Sequence, residues 1–423
     1  MRWDYVVSKT ANNDRYGRSS RFFRNLPGRD RPAPAILEGN QMDFDLTDEQ
    51  RLLRDSVDRL IADQYQFEQR KKYLAEPAGW SLTVWNQYAE IGLLGLPFEE
   101  TLGGFGGGAI ETALVMEAFG RGLVLEPYFA TIILGGGLLR RAGSAAQRGA
   151  LVPQVAAGKL KLAFAHIERQ SRYDPADVTT TARKAGAAWI LDGAKSVVLH
   201  GDCADKIFVT ARTAGARRDR DGVGLFLVDT ASPGVTRRGY PTQDGLRAAE
   251  ITLSGVRVSP EDVLGDSTLP AIEHVIDEAI AALCAEAVGV MQVMHDATLD
   301  YLKTRKQFGR PIGSFQVLQH RSVDMLVALE QARSMALFAT VMAAEENPIE
   351  RQKAIAAAKV QIGRSGRHVG QEAIQLHGGI GMTMEYKVGH HFKRMTVIDQ
   401  LYGDADKHLT TLARLGGLFG KAA

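Results

Sequence analysis

At 423 residues, with 45% hydrophobic and 24% charged positions, the chain has the make-up of a globular protein long enough for two or three domains. A balance of 51 basic against 49 acidic residues leaves a net charge of +2, which excludes the global bias expected of a protein that binds nucleic acid or a membrane surface. Two cysteines, Cys203 and Cys284, are too few for a disulfide framework and lack metal-site spacing, so a reducing, cytoplasmic compartment is the expectation.

Residues 1–41 are Arg-rich, contain Pro32 and Pro34, and lack an apolar signal core; they read as a disordered extension ahead of Met42. Residues 42–158 form the first predicted domain, and it is helical: Leu46, Leu52, Leu53, Val57, Leu60 and Ile61 recur at three- and four-residue steps. Thr47 to Gln50 has the form of a capping box at the start of that helix. The cluster Gly103-Gly104-Phe105-Gly106-Gly107-Gly108 lacks the buried strand that a dinucleotide fingerprint needs before it, so an interhelical turn is expected. No apolar run reaches the roughly 18 to 20 residues that cross a bilayer; the best, Ile132 to Leu139, is short and glycine-rich.

Over residues 159–268 the periodicity changes to short β-rich runs, Leu162–Ala165, Ala188–Leu191, Lys206–Val209, Gly224–Val228 and Ala249–Leu253, separated by Asp, Gly and Pro turns. An antiparallel barrel or sandwich of five to seven strands is predicted. Residues 269–423 return to long helical patterns, Ile272 to Met294 being the first, and predict an up-and-down bundle of about four helices.

Several motifs now combine. Ile91-Gly92-Leu93-Leu94-Gly95-Leu96-Pro97, Val256-Arg257-Val258-Ser259-Pro260, Arg305-Lys306-Gln307-Phe308-Gly309-Arg310-Pro311-Ile312 and Gln375-Leu376-His377-Gly378-Gly379 resemble the acyl-CoA dehydrogenases over residues 43–418. The runs Glu117 to Tyr128 and Leu162 to Asp174 are most similar to the small subunit of two-subunit pimeloyl-CoA dehydrogenases. The resemblance implies an α+β fold with an N-terminal helical domain, a middle β-barrel or sandwich and a C-terminal four-helix bundle.

It also implies chemistry. Desaturation removes a proton from Cα and a hydride from Cβ of an acyl-CoA thioester, with FAD as hydride acceptor and an electron-transfer flavoprotein as onward acceptor. In the family the third domain of one subunit clasps the neighbour's FAD. Arg305, Gln307, Phe308, Gln316, Gln375, Gly378 and Gly379 are the residues the resemblance assigns to that role, in a dimer or tetramer with a homologous subunit. Arg suits pyrophosphate as a rigid fork of donors.

Two departures stand out. Gly403 occupies the position of the family's glutamate base, leaving Asp404 as the candidate base and Glu278 as a second, with a base from the partner subunit as the remaining option. Val197-Val198-Leu199 stands where the family has hydroxyl-bearing flavin contacts, and Ile167-Glu168-Arg169 where it has Thr-Glu-Pro. Two readings follow: a dehydrogenase subunit in a heteromer, or a catalytically impaired partner that completes the neighbour's FAD site. His368 with Glu372, and His390 with His391, lack a third ligand for a metal.

Overall fold

The computed structural model describes residues 45–265 and 267–418, and the extension expected over residues 1–41 lies outside them. Helix α1 (Asp48–Gln64) opens on Thr47, whose hydroxyl accepts the Gln50 amide while the Gln50 side chain accepts the Thr47 amide. Two otherwise orphaned donors are thereby satisfied, and Leu53, Val57 and Ile61 turn one face into the core. Helices α2 (Phe67–Ala75), α3 (Leu82–Glu90) and α4 (Ala109–Gly122) follow, and the glycine cluster is the turn that enters α4. A π-helical segment, Phe129–Gly135, runs directly into α5 (Gly136–Ala142), and α6 (Ala145–Ala156) closes the domain.

The middle domain is one eight-stranded sheet: β1 (Leu162–Ala165), β2 (Thr181–Ala185), β3 (Ala188–Leu199), β4 (Lys206–Arg212), β5 (Val223–Asp229), β6 (Val235–Pro241), β7 (Arg247–Val258) and β8 (Val263–Gly265). Its order is β6-β7-β3-β2-β4-β5-β8, and most pairs are antiparallel as expected, but β1 joins in parallel along β4. Strands β4 and β5 are buried on both faces. Ile207, Val209 and Ala211 enter a core within the sheet domain, whereas Phe208, Leu225 and Leu227 join the large core shared with the helices. That two-sided burial is why these runs are continuously apolar rather than alternating.

The third domain holds α7 (Leu269–Thr304), a hairpin of β9 (Lys306–Gln307) and β10 (Arg310–Pro311), α8 (Gln316–Met342), α9 (Pro348–His377), α10 (Lys387–Gln400) and α11 (Ala405–Arg414). Helix α7 also joins this bundle to the first domain. A Cβ on Gly120 of α4 would lie 2.0 Å from the Glu286 carbonyl oxygen, and one on Gly289 of α7 would lie 2.0 Å from that of Glu117, so the two helices cross backbone to backbone. By length and composition α8 is apolar enough to cross a bilayer. Within the bundle it is tied by Arg321 to Glu372 of α9 and by Arg333 to Glu117 of α4.

Candidate functional site

The chain brings its sequence-predicted site residues to two separate places. One is the short link between α10 and α11, Leu401 to Asp404. Tyr402 lies parallel to His166, which follows β1, with ring centroids 5.7 Å apart at 6°. His166 stacks in turn on Phe164 at 4.4 Å, and Phe129 of the π-helical segment approaches Tyr402 at 6.4 Å. All three domains therefore meet at this aromatic group. Burial, assisted by the nearby Lys195 charge, pulls the His166 imidazole down to about 3, so it is neutral over the physiological range. Its Nδ1 is buried without a hydrogen-bond partner.

Gly403 has φ +112, and a Cβ there would come 2.9 Å from His408 Nε2. The turn thus demands glycine twice, for its backbone and for space. Asp404 is the N-cap of α11, its Oδ1 accepting the Lys407 amide at 2.8 Å. Below the turn, the fully buried Lys359 donates to the carbonyls of Ile398 and Asp399, satisfying the C-terminal end of α10 and setting the approach to Tyr402. Burial lowers its ammonium to about 8. Sequence reading passed over Lys359 and His166. A lysine inside the apolar stripe of Ile355, Ala358 and Ile362 was the available signal for the first.

Other carboxylates near this region are engaged. Glu168 and Lys195 form a fully buried pair, Nζ to Oε1 2.7 Å, with Lys195 also donating to Thr210 at 2.9 Å. Burial opposes ionisation of Glu168, but the Lys195 charge and hydrogen bonds from Thr179 and Thr180 override it and hold the carboxyl well below its usual range. Glu278 lies between Arg140 at 3.3 Å and Arg141 at 2.7 Å. Val197 is exposed, while Ser196, its neighbour, is turned to Glu250 at 2.9 Å, so β3 offers apolar surface and no free hydroxyl here. Behind Leu199 and Phe129 is a cavity of about 30 Å³, also lined by Glu126, Glu286 and Arg394. It has room for one or two waters and not for an acyl chain.

The second place is one end of the helical bundle. Tyr301 near the end of α7 packs on His377 at the end of α9, ring centroids 4.6 Å apart, so the Arg305–Gln316 segment and the Gln375–Gly379 segment share that end. Arg305, Gln307, Gln316 and Gln375 are exposed there, and their side chains have no hydrogen-bond or ion-pair partner among the described residues. Phe308 and Gly309 carry φ of +54 and +79, as a two-residue type I′ hairpin turn requires. Phe308 is 90% exposed and meets Phe315 edge to face, ring centroids 6.0 Å apart. Gly378, at φ +63, ends α9, and neither it nor Gly379 has anything within 4 Å of a built Cβ. These residues present fork donors, amides and backbone on one open cradle, suited in type to a pyrophosphate and an adenine, that no other described residue fills.

Family models describing the N-terminal, middle and C-terminal domains of acyl-CoA dehydrogenases match residues 47–159, 163–257 and 269–416. The chain is 29% identical to a probable acyl-CoA dehydrogenase, YngJ, of Bacillus subtilis, over 88% of its own length and 99% of that protein. It superposes on a variant of the Tcur3481-Tcur3483 steroid ACAD with TM-score 0.78 and 30% identity, covering 87% of this chain and 97% of that one. A glutaryl-CoA dehydrogenase from Mycobacterium smegmatis in complex with FADH2 superposes with TM-score 0.79 and 25% identity, covering 89% and 96%.

Proposed function

Because the chain belongs to the acyl-CoA dehydrogenase family, we propose that it serves FAD-dependent α,β-desaturation of an acyl-CoA thioester as one subunit of an assembly with a homologous chain. The observation that carries this reading is the open cradle at the end of the bundle. Arg305, Gln307, Gln316 and Gln375 are polar, exposed and unpartnered among the described residues, beside Gly378 and Gly379 with open space around them, so donors and backbone together are free for a ligand. When bound, FAD would accept the hydride that leaves Cβ. Arg305 would hold the pyrophosphate, with Gln307, Gln316 and Gln375 as hydrogen-bonding partners and Phe308 as an aromatic face. The outward side of α8, with Val317, Val323, Leu326, Val327, Leu337 and Val341 exposed, supports a neighbouring subunit along the length of this helix. Electron-transfer flavoprotein is the acceptor that the family reading assigns.

Proton removal from Cα needs a carboxylate free to accept the proton. Asp404 caps a helix, Glu168 is locked to Lys195, and Glu278 is held by two arginines. These engagements favour a second reading, in which this chain completes the dinucleotide site of its neighbour while the neighbour supplies the base. The cap bond uses Asp404 Oδ1, so as a base it would work from Oδ2. Co-expression with a homologous dehydrogenase chain, followed by the flavin-to-protein ratio and acyl-CoA turnover with an artificial acceptor, tests both readings. Robust turnover by the pure homomer would overturn the second. Full flavin retention through gel filtration by an Arg305→Ala assembly would overturn the cradle.

A further inference from the structure

A second cavity, of about 240 Å³, opens between the first domain and the bundle, and it shares no lining residue with the aromatic group at Tyr402 or with the cradle. Its floor is apolar, made by Pro97, Ile132, Ile133, Ala281 and Ala282, and its charged wall is Arg140, Arg141 and Glu278. Arg141 holds Glu278 Oε1 through two nitrogens, at 2.7 and 3.1 Å. Arg140 has a single, longer contact to the same carboxylate at 3.3 Å, and its Nε is buried without a partner. Two guanidiniums thus share one carboxylate on this wall, which leaves Arg140 with donors that Glu278 does not use. Glu346, at the rim, is exposed and has no ion-pair partner among the described residues.

We propose that this cavity binds a small monocarboxylate with an apolar stem, its carboxylate on Arg140 and its hydrocarbon on Ile132, Ile133 and the two alanines. A guanidinium with spare donors matches a carboxylate in shape and charge, and such a bond strengthens where water is excluded. At about 30 Å³ per water-sized unit the space holds on the order of eight heavy atoms, which selects a short chain. The apolar floor disfavours inorganic phosphate, which would have to shed hydration on every side with nothing in return. Glu278 is the built-in competitor: it occupies donors that the ligand needs. The two substitutions flanking the site therefore act with opposite sign.

The test is calorimetric titration of the full chain, in its purified assembly, with hexanoate, hexan-1-ol and inorganic phosphate. Saturable binding of hexanoate is expected, with none for hexan-1-ol. Arg140→Gln should weaken hexanoate at least tenfold, the scale of one charge-assisted hydrogen bond, and Glu278→Gln should tighten it several-fold by freeing the arginine pair. No saturable hexanoate binding, or equal affinity in wild type and both variants, overturns the proposal. Phosphate displacing hexanoate at comparable concentration overturns the carboxylate assignment. If Arg140→Gln does not fold, the sign of the Glu278→Gln effect still decides, because a merely structural ion pair gives no reason for tighter binding.

Discussion

Tyr402, Gly403 and Asp404 stand side by side under three different constraints: a ring stack on His166, a left-handed backbone against His408, and a helix cap. The expectation that Gly403 stands at the family's glutamate position comes from the sequence, because the flanking motif sets the alignment. The reason glycine is needed there is not readable, since it depends on His408 folding back to donate from Nε2 to the Tyr402 carbonyl, 3.1 Å away. Gly403→Glu should therefore create no base; it should destabilise the chain, through strain at φ +112 and the close His408 contact, by more than about 1 kcal/mol. A gain of flavin reduction by acyl-CoA in that variant would contradict this account. Asp404→Ala should cost about 1 kcal/mol in chemical denaturation, as loss of a cap does, and leave the flavin reduction rate in stopped flow unchanged. A drop of about a hundredfold with intact stability would instead make Asp404 the base.

Elements with a strong apolar period were legible, including α1 with its capping box, α7, and the runs that became β1, β4 and β5. Strand β6 was not, because Val235–Pro241 is polar and mostly exposed and owes its conformation to pairing with β7 rather than to a buried face. The register of β1 was equally hidden, being set by contact with β4 some forty residues along the chain. At the cradle, the β9–β10 hairpin shows what a motif alone conceals. Phe308 sits at φ +54, a conformation costly for an aromatic residue, and exposes nearly all of its ring. The turn type accounts for the backbone, and the exposed ring is what the proposed contact with a neighbouring subunit would use. Phe308→Gly should relieve the turn and raise the stability of the chain by roughly 1 kcal/mol, while lowering flavin retention in the assembly. Unchanged retention would show that the ring contributes nothing to the neighbour's site.

The three domains are held together by buried charge that no local pattern announces, because its members are far apart in sequence. Arg394 of α10 pairs with Glu286 of α7 at 2.6 Å and with Asp244 of the sheet domain at 2.7 Å, and Arg70 of α2 donates to the carbonyls of Leu123 and Asp244. Breaking such a network by removing one partner costs about 3–5 kcal/mol, so Arg394→Met should loosen all three domains at once rather than one. Glu126 lies beside this network, its carboxylate accepting hydrogen bonds from Tyr65, Tyr88 and the Ser81 amide. Burial outweighs those bonds and pushes its carboxyl from 4.5 up to about 7. The folded chain therefore binds a proton there that the unfolded chain has released, over the interval from about pH 4.5 to 7, and stability from this group falls as pH rises through it. His391 acts in the opposite sense: burial lowers it to about 4, so its contribution falls as pH drops below 6.5. The two overlap, and a wild-type profile alone cannot separate them. Glu126→Gln keeps one acceptor oxygen for the Ser81 amide, turns a donor NH2 towards the Tyr65 and Tyr88 hydroxyl oxygens, and does not titrate. Its stability relative to wild type should therefore rise between pH 5 and pH 8 by up to roughly 3 kcal/mol, read as the difference between urea midpoints multiplied by a common slope. Parallel profiles for the two proteins would mean that Glu126 is ionised in the folded chain throughout this range and that its hydrogen bonds outweigh its burial.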